Sequence, residues 1–205
     1  NGEARISLYP LLRQRARLRA ATERVDYRDS RSVDGHASDA EPVQHALNRP
    51  SLRIYRTSDV IGAQLGGALK NIMAIAAGIT IGAGLGDSAR ASVIARGFAE
   101  MTRYARRKGA QTETIQGLSG LGDLVLTCTS EKSRNFSAGV QLGQGEFLDG
   151  SVTIEGIATA QAVAEEASKL GIEMPLTCAV ADVTEGKLDI QAAIKTLMSR
   201  PAGEE

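Results

Sequence analysis

From Asn71 to Gly86 the chain carries no charge and is built mainly from Gly, Ala and Ile. No other stretch limits the fold as tightly. Gly78, Gly82 and Gly86 recur every four residues, a small-xxx-small spacing that lets one helix backbone lie directly against another. Lys70 and Asp87 bound the run, which at 16 residues is shorter than the roughly 20 a membrane-crossing helix needs. It reads as a buried helix of a folded core rather than a membrane span. The preceding residues, Asp59 to Asn71, read DVIGAQLGGALKN and set a lone cation, Lys70, at the edge of that apolar run. A lysine there is partly desolvated, and such lysines are either paired structurally or used in proton transfer.

Aromatic residues make up 3% of the chain and Trp is absent, which favours closely packed helices over a β-sandwich. The formal charge of +0 argues against nucleic acid or anionic membranes as bulk partners. Cys128 and Cys178 are too few and too far apart for a metal site or a disulfide framework, so a reducing cytoplasm is the expected setting, with no metal. No signal peptide is evident. The chain begins with Asn, which implies that something upstream is missing.

Its 205 residues suit one domain, or one domain plus a fragment. Residues 1–39 are Arg-rich, contain no Lys and show no sustained apolar period. They read as a disordered polar segment or as sequence translated out of frame. Glu23, Asp26, Asp29, Asp34 and Asp39 argue against a transit peptide. From Ala40 the pattern becomes orderly. Ala40 to Leu47 reads as the end of a helix, and Leu52 to Tyr55 as a short strand. Asp59 is placed to cap a long helix running to about Ile81. A second helix starts at Asp87, and a short one spans Thr112 to Leu118. Gly117 to Cys128 reads as a Gly-punctuated connection, and Glu131 to Leu142 as helix. Ile154 to Leu170 is amphipathic and closes at Gly171; Pro175 opens a helix to about Glu185, and Asp189 caps a last one through Met198. The expectation is an all-α domain of six or seven helices over 59–199, with 200–205 as a tail.

Both histidines, His36 and His45, precede the helical region, so acid–base chemistry inside it falls to other residue types. Lys70 leads, against the alternative of a lysine that snorkels to solvent or pairs with a carboxylate. In SGLGDLVLTCT, residues 119–129, Asp123 either orients Lys70 by a charge-assisted hydrogen bond or serves as a helix N-cap. Ser133, Arg134 and Asn135 bring a hydroxyl, a guanidinium and an amide to the start of a helix, a combination suited to phosphate but common on surfaces. Glu155, opening a helix, reads as a dipole-stabilising carboxylate or as a contact to a ribose hydroxyl.

Taken in order, GGALKN, GLGDLVLTCT, SRN and EG resemble one family: the C-terminal, substrate-binding domain of bacterial NAD(P)-dependent glycerol-3-phosphate dehydrogenase. The resemblance runs from about Ala40 to Met198. It implies a multi-helix substrate domain of the 6-phosphogluconate dehydrogenase C-terminal-like type, with 40–58 as the end of a preceding cofactor domain. It also implies interconversion of dihydroxyacetone phosphate and sn-glycerol 3-phosphate with NAD or NADP, feeding glycerophospholipid synthesis. Lys70 would be the acid–base residue, with Asn71 and Asp123 on the substrate. Ser133, Arg134 and Asn135 would hold the phosphate, and Arg134, Thr153 and Glu155 would reach the cofactor. Thr153 stands where the family commonly has Val, a difference that a backbone contact tolerates.

The family carries an N-terminal Rossmann domain with a Gly-rich loop and a further lysine, and this chain has no Gly-x-Gly-x-x-Gly. Little or no dehydrogenase activity is therefore expected of this polypeptide alone. The competing readings are a non-catalytic helical module, including a homodimerisation piece or decayed gene product, and a related hydroxyacid dehydrogenase. The SRN triplet and the GLGDLVLTCT run argue against the last.

Overall fold

The computed structural model describes residues 5–7, 44–49, 53–148 and 153–198. Most of the Arg-rich segment, and the tail 200–205, lie outside them. Within that segment β1 (Arg5–Ser7) pairs antiparallel with β2 (Tyr55–Thr57), Ile6 opposite Arg56. The strand expected at Leu52 to Tyr55 thus lies further along the chain, and of the helix expected at Ala40 to Leu47 the described residues 44–47 are helical. Among the described residues, everything after Asp59 is helical or connects helices, so the all-α expectation holds.

The organising element is α1 (Val60–Gly82), twenty-three residues whose C-terminal half is buried almost all round. Leu69, Ile72, Met73, Ala74, Ile75 and Ala77 have no exposed surface. Helix α1 is long and apolar enough to cross a bilayer by composition, but here its apolar side chains join the core cluster with Met101, Leu124, Phe136 and Val180 from other helices. Asp59 caps it as expected: Oδ1 accepts from Gly62 N at 2.8 Å. Oδ2 accepts from Gln111 N at 2.7 Å, so one carboxylate fixes the starts of α1 and of α3 (Thr112–Gln116) together. Gly84 and Gly86, both at positive φ, turn the chain into α2 (Gly86–Arg107).

The connection expected from Gly117 to Cys128 is helical instead. A π-helical turn (Leu118–Gly122) runs straight into α4 (Asp123–Cys128). Its glycines serve close packing here, not chain breaking: a Cβ on Gly66 of α1 would overlap the Ser119 carbonyl, and one on Gly120 would overlap that of Ile115. Helix α5 (Arg134–Gly143) begins three residues later than expected because Ser133 caps it, accepting from Phe136 N at 3.2 Å. Then come α6 (Glu155–Leu170), ended by left-handed Gly171, α7 (Pro175–Thr184), and α8 (Ile190–Met198) with Asp189 accepting from Ala192 N. From Val60 to Met198 the described residues hold eight α-helices, more than the six or seven expected, the difference lying in the Gly-rich stretch.

Helices α1 and α5 pack parallel, with glycine facing glycine. Gly78 lies against Phe136 and Gly139, and Gly82 against Val140 and Gly143. A Cβ at any of the four would strike backbone of the opposite helix rather than a movable side chain. Gly78→Ala should therefore destabilise the chain by about 1–3 kcal/mol, the range for forced overpacking, despite the better helix propensity of Ala. Urea unfolding checks it; a gain in stability would mean that the two backbones are not in close contact.

Glu100, in the middle of α2, was not anticipated as a core residue, yet it is 2% exposed. Its carboxylate accepts from Leu176 N at 2.6 Å, Thr177 N at 3.1 Å and Thr177 Oγ1 at 3.0 Å. It thus caps α7 from another helix, a place where Met174 supplies no side-chain cap. Burial raises its pKa, against the lowering effect of those hydrogen bonds and of Arg103. A raised folded-state pKa means that the folded state holds the proton more tightly, so this group's contribution to stability is complete below the unfolded carboxylate value and is lost as pH rises through the folded one. The stability difference between the parent and Glu100→Gln should accordingly shift in favour of the variant between pH 4.5 and neutrality. Urea midpoints across that range that move in parallel would contradict it.

Candidate active site

Two turns into α1, Gly66 leaves room for the π-helical turn to lie on the helix. One turn beyond Gly66 comes Lys70, and three residues beyond Gly120 comes Asp123. That register sets the two side chains opposite one another, and Lys70 Nζ forms an ion pair with Asp123 Oδ2. The side chains are 13% and 3% exposed. Lys70 is thus desolvated as expected, and it is held by a carboxylate, not carried out to water. Asp123 does not cap α4. It is the first residue of the helix, where the helix dipole favours a negative charge, and its carboxylate turns to Lys70.

Thr127, which sequence reasoning missed, closes the back of the pair. It is 9% exposed, and its Oγ1 donates to the Asp123 carbonyl at 2.6 Å and lies 3.4 Å from Asp123 Oδ1. The signal was an i, i+4 spacing, visible only once Gly117 to Cys128 is read as helix. Cys128 beside it is fully buried, and burial pushes its thiol up to about 12, with Arg90 pulling the other way. The wall behind the ion pair is therefore closed to bulk solvent.

A second group gathers around the next residue of α1. Asn71, 8% exposed, directs Nδ2 to Gly67 O and to Glu155 Oε2, both at 3.4 Å. Arg134 Nη2 lies 3.6 Å from Glu155 Oε1. Both of these charged side chains are more than 60% exposed, so their attraction is screened to about 0–1 kcal/mol and orients more than it stabilises. Asn135 Oδ1 accepts from Gly156 N at 2.9 Å. Gly156 is itself a close-approach residue: a Cβ there would meet Asn71 O, Ile75 Cδ1 and Asn135 Oδ1. The starts of α5 and α6 thus meet beside Asn71, adjacent to the Lys70–Asp123 pair.

Of the residues singled out by sequence, Lys70 with Asp123, and Asn71 with Arg134 and Glu155, are brought into contact. Asn135 joins through Gly156, while Ser133 is engaged in capping α5. Thr153 stands exposed before α6, and among the described residues no hydrogen bond links it to the others. No group of three or more His, Cys, Asp or Glu that could hold a metal occurs among the described residues.

A helical module that sets a buried lysine–carboxylate pair one residue from the meeting point of two helix N-termini and an exposed guanidinium holds the groups that proton transfer and anion binding require. Residues 59–195 match the family described as NAD-dependent glycerol-3-phosphate dehydrogenase C-terminus, and the chain belongs to that family. It is 57% identical over 169 residues to the NAD(P)+ glycerol-3-phosphate dehydrogenase of Paracoccus denitrificans, covering 82% of this chain and 54% of that protein. Identity to the enzyme of the same name from Cereibacter sphaeroides is 56% over 165 residues, covering 80% and 54%. The crystal structure of glycerol-3-phosphate dehydrogenase from Coxiella burnetii superposes with a TM-score of 0.75 at 40% identity, covering 81% of this chain and 53% of that one. The chain spans about half the length of the curated relatives it matches.

Removing one partner of a buried ion pair strands the other charge. Asp123→Ala should cost about 3–5 kcal/mol, whereas Lys70→Met with Asp123→Leu should come within about 2 kcal/mol of the parent. Chemical denaturation of the three chains distinguishes this from a surface pair, for which the single substitution would be nearly silent.

Proposed function

We propose that this chain forms the substrate-binding and acid–base half of a glycerol-3-phosphate dehydrogenase, interconverting dihydroxyacetone phosphate and sn-glycerol 3-phosphate. The observation that carries the reading is the desolvated Lys70–Asp123 pair next to the meeting point of α5 and α6. In the reducing direction the Lys70 ammonium donates a proton to the carbonyl oxygen, and in the oxidising direction the amine takes the hydroxyl proton. A cation at that oxygen also stabilises the negative charge that develops there. Asp123 keeps Lys70 in place through the ion pair. Asn71 lies one residue on, its amide oriented by Glu155, in a position to align the substrate oxygens.

The phosphate end is served by Arg134, Asn135 and the first N–H groups of α5, where guanidinium, amide donor and helix dipole all favour an anion. Ser133 takes part by fixing that helix end. The nicotinamide of NAD or NADP, when bound, supplies or accepts the hydride. Glu155 suits such a cofactor: an exposed carboxylate in the first turn of α6 has the chemistry to accept from ribose hydroxyls, with Arg134 and the Thr153 backbone beside it. A cytoplasmic setting and a role ahead of glycerophospholipid synthesis accompany this reading.

The experiment follows nicotinamide absorbance with dihydroxyacetone phosphate and NADH or NADPH, for the chain and for Lys70→Ala. Turnover by the 205-residue chain should be far below that of the longer relatives and should fall at least about a hundredfold in the variant. A variant as fast as the parent would remove Lys70 from the chemistry. If neither turns over, the same comparison is made with the chain joined to a nucleotide-binding half taken from a relative.

A further inference from the structure

Helix α6 begins without a cap of its own. Ile154 occupies the N-cap position and makes no side-chain hydrogen bond to the first turn. The acceptor comes instead from α5: Asn135 Oδ1 takes the Gly156 N–H at 2.9 Å in a buried setting. Because an N–H needs an acceptor, this bond also fixes which way the Asn135 amide is turned, with oxygen toward Gly156 and Nδ2 left as donor for a ligand. Gly156 is packed too closely against Asn71 and Ile75 to admit a side chain, so the bond joins three helices at one point. Glu155, the residue immediately before, is the one that meets Asn71 and Arg134.

We propose that Asn135 is a positioning residue: it is the N-cap of α6 supplied by α5, and it couples the phosphate end of the site to Glu155. One amide thereby does two things through two atoms. Oδ1 holds the first turn of α6, and hence Glu155, against Asn71, while Nδ2 donates to the anion. An anion drawn to Nδ2 pulls on the same side chain that fixes Gly156, so the carboxylate end registers occupancy of the phosphate end. The second half of this inference rests on the phosphate reading given above; the cap does not.

The test uses the 205-residue chain, with amide hydrogen exchange and a titration with inorganic phosphate, both followed by NMR. Asn135→Asp keeps an oxygen for Gly156 but loses the donor, and Asn135→Ala loses both. Exchange at Gly156 should quicken about tenfold in the alanine variant, the scale of a lost N-cap, and stay within about twofold in the aspartate variant. The acceleration should be confined to the first turn of α6, with amides of α7 unchanged. Phosphate should shift the Gly156 resonance in the parent, and that response should vanish in Asn135→Asp although the cap persists.

Equal protection of Gly156 in the parent and the alanine variant overturns the cap. So does acceleration spread evenly through α7, which would make Asn135 a general packing residue. If the alanine variant does not fold, loss of Gly156 protection in a folded Asn135→Asp overturns the cap in its place. A phosphate response at Gly156 that survives in Asn135→Asp, or one absent from the parent, overturns the coupling. Exchange requires neither ligand nor turnover, so the cap can stand even where the glycerol 3-phosphate reading fails.

Discussion

The parallel contact of α1 and α5 through Gly78, Gly82, Gly139 and Gly143 is what the rest of the structure depends on. Four glycines inside helices are unfavourable locally, at roughly 1 kcal/mol each relative to Ala. They are tolerated because the backbones come close enough for van der Waals and Cα–H···O contact along two turns. The geometry then has a consequence at the other end. Parallel packing in this register brings the first turn of α5 level with Asn71, so Arg134 and Asn135 arrive beside the residue that follows Lys70. A change in the glycine register would displace Arg134 and Asn135 from the lysine by a full helical turn.

The same device recurs around the site. Gly66 admits the π-helical turn that delivers Asp123 to Lys70, and Gly156 admits the start of α6. Each close approach replaces a side chain with backbone and leaves polar groups to be satisfied in a dry interior. Asp59, Glu100 and Asn135 meet that need by capping helices other than their own, as well as α1 in the case of Asp59. Connections between helices that look loose in sequence are therefore fixed by buried acceptors.

The Lys70–Asp123 pair is costly to bury. Desolvating both charges cancels much of their attraction, so stability alone is a poor reason for it. Fully buried Cys128 and Leu124 wall the pair off on the core side, while Thr127 lies beside the carboxylate. A charge pair held beside an apolar wall suits chemistry that moves a proton, and this is why the proposed function rests on it.

Much of the fold was legible in the chain. Asp59, Gly171, Pro175 and Asp189 mark helix ends by local chemistry that holds whatever surrounds them, and the uncharged run after Lys70 announced a buried helix. Lys70 itself was conspicuous because a lone charge in an apolar pattern needs no partner in view to stand out. What the sequence could not show was who meets whom. Gly117 to Cys128 looked like a broken connection because glycine lowers helix propensity, and only packing against α1 turns it into helix. Asp123 as ion-pair partner rather than cap, Thr127 behind it, Glu100 under α7 and Asn135 beneath α6 all depend on contacts between residues distant in the chain. Sequence determined where the helices begin and end and which lysine is out of place; tertiary structure decided the partners, because a carboxylate or amide has the same local preferences whether it faces water or the end of another helix.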